Sequence, residues 1–83
     1  MTEIQHDTKH QRFFIDHEKG SCHLDYQLDS QQGSVDFTHT FVPFSLRGQG
    51  LAEKLVHHGL AWAKEQNLQI KASCWYVDKF LRK

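Results

Sequence analysis

Apolar and polar residues alternate through three successive stretches of the first half of the chain, then switch to a helical period after Pro43. Arg12-Phe13-Phe14-Ile15-Asp16-His17 reads as a strand entering a core. The run Cys22 to Leu28 alternates, with Leu24, Tyr26 and Leu28 on one face. Ser34 to Val42 alternates again: Val35, Phe37, His39 and Phe41 point one way, and Asp36, Thr38 and Thr40 the other. Gly20-Ser21 and the polar loop Asp29–Gly33 separate the runs. Short turns between successive strands predict an antiparallel three-stranded meander. Residues 1–11 are polar and are expected to form a flexible N-terminus.

Pro43 has no N–H to give to a sheet and ends the third strand. Between Gly50 and Gln66, Leu51, Ala52, Leu55, Val56, Gly59, Leu60 and Ala63 make one apolar stripe, while Glu53, Lys54, His57, Lys64 and Glu65 cover the other side. Gly59 weakens a helix interior, so its use there predicts close packing on the sheet. Asn67 is a stop signal. Gln69 to Cys74 reads as a short fourth strand, and Trp75 to Lys83 as a short terminal helix. A strand–helix–strand unit places the fourth strand parallel to the third. The expected class is α+β: an antiparallel meander, a helix, a parallel fourth strand and a C-terminal helix, in one domain spanning 12–83.

Composition narrows the function. The 83 residues carry ten Lys+Arg and ten Asp+Glu, so the net charge is zero, and a dedicated nucleic-acid binder would show a basic excess. There is no apolar run long enough to cross a membrane and no apolar core of a signal peptide near Met1, so a soluble cytoplasmic monomer is expected. Cys22 and Cys74 do not make a disulfide framework. Seven histidines lack a Cys or carboxylate cluster at ligand spacing, and no metal is expected.

The segment that carries chemistry is Thr40-Phe41-Val42-Pro43-Phe44-Ser45-Leu46-Arg47-Gly48-Gln49-Gly50-Leu51-Ala52, which joins a strand to a helix N-terminus. Unpaired N–H groups and the positive end of the helix dipole favour an anion there. Gly48 and Gly50 let backbone approach a phosphate closely, and Arg47 adds a permanent cation. The string is not a Walker loop. It also lacks the third Gly of a dinucleotide fingerprint, since Leu51, Ala52 and Glu53 follow Gly50.

The motif resembles the acyl-CoA-binding signature of the GNAT superfamily of N-acetyltransferases, Arg/Gln-x-x-Gly-x-Gly/Ala, with Arg47, Gly50 and Ala52 in its fixed places. Together with Thr40-Phe41-Val42-Pro43 and Ser73-Cys74-Trp75-Tyr76-Val77, it is similar to a small, truncated GNAT-like family. The likeness covers roughly residues 13–82. It departs at Ala72, where members often carry Pro before Ser-Cys. The resemblance implies acetyl-CoA as cofactor. Phe41 and Val42 would offer backbone groups to the pantetheine arm. Arg47, Gly48, Gln49, Gly50, Leu51 and Ala52 would hold the pyrophosphate, and the thioester would enter a gap where the third and fourth strands splay. Cys74 would lie beside the thioester, either accepting the acetyl group or only lining the pocket. His39 is the candidate base for the acceptor amine, and Tyr76 is a candidate proton donor to the leaving thiolate. GNAT domains of full length carry further N-terminal elements around the acceptor. Their absence implies an open acceptor side, suited to an exposed or macromolecular amine such as a protein. A non-catalytic CoA-binding module is the alternative reading, and a small interaction module whose Gly loop is only structural is a third.

Overall fold

Residues 3–81 are described by the computed structural model. The expected meander is present and one strand larger. β1 (Gln5–Asp7), β2 (Arg12–His17), β3 (Gly20–Asp29) and β4 (Ser34–Phe41) run antiparallel in sequence order, α1 (Leu51–Glu65) crosses over, β5 (Gln69–Ala72) joins parallel to β4, and α2 (Trp75–Leu81) follows. The additional strand falls inside the segment expected to be flexible. Gln5-His6-Asp7 has no apolar alternation, yet it pairs with Phe14, Phe13 and Arg12. His6 supplies the anchor: its ring stacks on Phe13 with centroids 4.0 Å apart, and its Nε2 lies 2.6 Å from the Tyr26 hydroxyl.

One face of the sheet is apolar. Phe13 and Ile15 of β2, Cys22, Leu24 and Tyr26 of β3, and Val35 and Phe37 of β4 pack against Leu55, Val56 and Ala63 of α1 and Val77 of α2. Gly59 explains how close α1 lies: a Cβ there would stand 3.0 Å from both Leu24 Cδ2 and Phe37 Cε1. Asn67 ends the helix region with φ +58°. Leu28 was expected to face the core with Leu24 and Tyr26, but it lies near the polar turn and is 43% exposed.

A bulge corrects the reading of β4. In the pairing with β3, Asp25 faces His39 and Tyr26 faces Phe37, so Thr38 has no opposite residue. One extra residue reverses which face the following side chains meet. Val35 and Phe37 enter the core, whereas His39 and Phe41 come out on the other face and are exposed. The four therefore do not share a face, as strict alternation predicts.

Candidate active site

The site begins where β4 and β5 separate. They pair from Ser34 opposite Gln69 to Phe37 opposite Ala72. Beyond that point the Ser73 and Cys74 N–H groups both donate to the Phe37 carbonyl, at 3.1 Å each. Asp36 fixes the departure: one carboxylate oxygen accepts from Ser73 N–H at 2.8 Å and the other from its hydroxyl at 2.7 Å. The chain then turns into α2, while β4 runs on to Phe41 without a strand beside it on that edge.

A cleft of about 630 Å³ fills the gap. Thr38, His39, Thr40 and Val42 form its β4 wall, Arg47 and Ala52 its end toward α1, and Ser73, Cys74, Trp75 and Tyr76 its far wall. Of the residues singled out in the sequence, the cleft thus brings together His39, Val42, Arg47, Ala52, Cys74 and Tyr76. Phe41 turns its ring to the opposite face and stacks on His23 at 5.4 Å. Leu51 is buried in the core. Gly48, Gln49 and Gly50 are exposed ahead of the helix and do not line the cleft itself. Thr38 is a cleft residue that the sequence reading missed, and Thr40, Ser73 and Trp75 stand in its motif strings with no role assigned. Small hydroxyl side chains carry no positional signal without the bulge and the splay.

The loop into α1 is shaped by glycine. Gly48 and Gly50 have φ of +85° and +75°, and a Cβ at either would meet nothing within 4 Å. Conformation, not crowding, demands glycine there. Gly50 is the N-cap of α1 and gives no side-chain cap, so the first-turn N–H groups point outward without one. Arg47 donates from Nε to the Val42 carbonyl at 3.1 Å, which ties the loop to the end of β4.

Cys74 stands at the N-terminus of α2, and its carbonyl accepts from Asp78 N–H at 3.0 Å. Burial alone would raise the thiol's pKa. Hydrogen bonding from the Thr40 hydroxyl and from the Val77, Tyr76 and Thr40 backbone outweighs it, and the pKa is lowered. The Thr40 hydroxyl oxygen lies 3.5 Å from the sulfur. Cys22 is the contrast: it is fully buried in the core and its pKa is raised by desolvation. The Tyr76 phenol is pushed up by burial and then by the charge of Glu53, so it stays protonated and able to donate. Among the described residues, no carboxylate lines the cleft.

Comparison with known proteins places this arrangement in context. The sequence pattern of the GCN5-related N-acetyl-transferase family matches residues 12–83. Protein NATD1 of Gallus gallus is 31% identical over 84 residues, covering 96% of this chain and 74% of its own. Protein NATD1 of Homo sapiens is 30% identical over 83 residues, covering 95% and 71%. The solution structure of a GCN5-like protein from Staphylococcus aureus superposes with a TM-score of 0.72 at 31% identity, over 95% of this chain and 76% of that one.

Proposed function

Because the chain belongs to the GCN5-related N-acetyltransferase family, we propose that it binds acetyl-CoA in the cleft between β4 and β5 and transfers the acetyl group to an amine presented from outside. The observation that carries this reading is the alignment of three features along one gap: the unpaired edge of β4 after Phe37, the N-terminus of α1 at one end, and the Cys74 thiol on the far wall.

The residues present fit acetyl-CoA. The free backbone of β4 suits the two amides of a pantetheine arm, which bind in the manner of an added strand. Open space ahead of Gly48 and Gly50, the uncapped N–H groups of α1 and the Arg47 guanidinium suit a pyrophosphate. Acetyl-CoA supplies an activated acetyl thioester. The chain's part is to hold it, orient it and move protons. His39 at the rim of the cleft takes the proton of the acceptor amine, and Tyr76 on the far wall protonates the departing sulfur. Cys74 either lines the thioester pocket or accepts the acetyl group transiently. Nothing encloses the acceptor side among the described residues, which suits an exposed amine, as on a protein.

Arg47→Ala is expected to weaken acetyl-CoA binding by about 1.5–3 kcal/mol, the range for a hydrogen bond to a charged group. Calorimetric titration checks it, with a circular dichroism spectrum unchanged from the parent. Cys74 is expected to be alkylated faster than Cys22, with its rate rising at lower pH than an ordinary thiol because its thiolate forms earlier. Acetyl-CoA should protect it, and oxidation in the presence of CoA should yield a mixed disulfide visible by intact mass. Cys74→Ala separates the two roles: covalent transfer loses turnover, a lining role keeps it. The lack of a carboxylate base in the cleft favours one second reading, a CoA-binding module without catalysis. Binding without acetylation of any of a panel of amines would decide for it.

A further inference from the structure

The bulge that turns His39 out of the core brings it beside a second histidine. On the sheet face away from both helices, His23 of β3 is only partly exposed, with its ring 5.9 Å from that of His39 and stacked on Phe41. Its Nε2 lies 3.7 Å from Asp25 Oδ2. That carboxylate is gripped by Arg12, whose Nε donates to Oδ1 at 2.6 Å and Nη2 to Oδ2 at 3.3 Å. The two imidazoles belong to different cavities. His39 lines the cleft that holds Cys74, whereas His23 lines a groove of about 350 Å³ on the uncovered face, together with Asp7, His10, Asp16 and Ser21. The histidine pair is the join between them.

Resting on the acetyltransferase reading above, we propose that His23 is a positioning residue that acts through His39, so that the two imidazoles share the proton released by an acceptor amine arriving over the uncovered face of the sheet. At this distance a positive charge on one imidazole disfavours a second on the other. The groups facing His23 set its state. Burial lowers its pKa, Asp25 opposes, and Arg12 and His39 add to the lowering; Asp7, His10 and Asp16 share its groove. The lowering favours the neutral form of His23, so the proton on His39 meets a neutral partner rather than a second charge.

The proton balance is closed. The acceptor ammonium gives one proton to His39 and exposes its lone pair. The nitrogen then forms a bond to the acetyl carbon, the C–S bond breaks, and its electron pair goes to sulfur. Tyr76 gives its proton to that sulfur, making the CoA thiol; a second proton of the amine restores the phenol, and the third stays on the amide. The proton held by the histidine pair leaves through the groove to water.

The test has two arms, both on the full chain. The first is NMR titration of the histidine rings without acetyl-CoA. His39→Gln should raise the titration midpoint of His23 by about half a pH unit, the size of a like-charge interaction across some 6 Å of solvent-exposed surface. An unmoved midpoint overturns the proposal. The second arm measures acetylation of a lysine-bearing peptide against pH. His23→Phe, which keeps the aromatic stack on Phe41, should lower kcat/KM about tenfold at neutral pH, leave KM for acetyl-CoA unchanged, and move the ascending limb of the profile to higher pH. Added imidazole should restore activity to His23→Ala. Turnover with an unmoved limb and no rescue overturns the role of His23 alone. Absence of turnover in the unmodified chain overturns the acetyltransferase reading, and this proposal with it.

Discussion

Phe37→Ala is expected to remove about 3–5 kcal/mol of stability, the usual cost of truncating a fully buried aromatic ring. A domain of this length holds only about 4–12 kcal/mol in total, so the variant should sit near the edge of unfolding at room temperature. Phe37 has no exposed surface, and its ring touches the position of Gly59 on α1. It is also the last β4 residue paired with β5, and its carbonyl receives both N–H groups that start the turn into α2. The same residue thus holds the helix to the sheet and marks where the cleft opens. Urea unfolding measures the loss. Phe37→Leu, which keeps most of the buried volume, should lose clearly less, and a loss below about 1 kcal/mol in Phe37→Ala would mean that the core closes elsewhere.

Gly50→Trp should abolish acetyl-CoA binding. The Cβ direction at Gly50 points into open space ahead of α1, where the pyrophosphate would lie, and an indole would fill that space. The substitution also forces a side chain onto a φ of +75°, which costs on the order of 1–2 kcal/mol of folding stability. Gly50→Ala carries that strain without the bulk and separates the two effects. It should lose stability while retaining most of its affinity. In a thermal melt, acetyl-CoA at a hundred times its Kd stabilises a folded protein by about 2.7 kcal/mol. The parent and Gly50→Ala should show that gain, and Gly50→Trp should show none. A normal gain in Gly50→Trp would move the phosphates away from α1.

The order of strands and helices was legible because apolar periodicity changes sharply at Pro43, and because Gly50 and Asn67 bracket a clean helical stripe. The parallel β5 followed from the crossover. β1 was not legible: a three-residue polar edge strand has no alternation, and its anchor, His6 against Phe13 and Tyr26, is a long-range contact. The bulge at Thr38 was hidden for a related reason. Thr-His-Thr fits an alternating strand as well as a bulged one, and only the register with β3 distinguishes them. That single residue decides whether His39 and Phe41 belong to the core or to the outer face. The Gly loop and Cys74 were visible as motifs. Thr38 was not, and Thr40 and Ser73 stood in the motif strings without a role, since a hydroxyl gains its role only from the splay around it.

Whether the gap between β4 and β5 holds acetyl-CoA is read from amide NMR of the full chain titrated with acetyl-CoA. Saturable shifts are expected in three stretches, 38–42 along the free edge of β4, 47–53 at the start of α1, and 73–77 around Cys74, with the β1–β2 hairpin unaffected. Saturation with no shifts in these stretches, or with shifts centred on the groove around Arg12 and Asp16, would contradict binding in this gap.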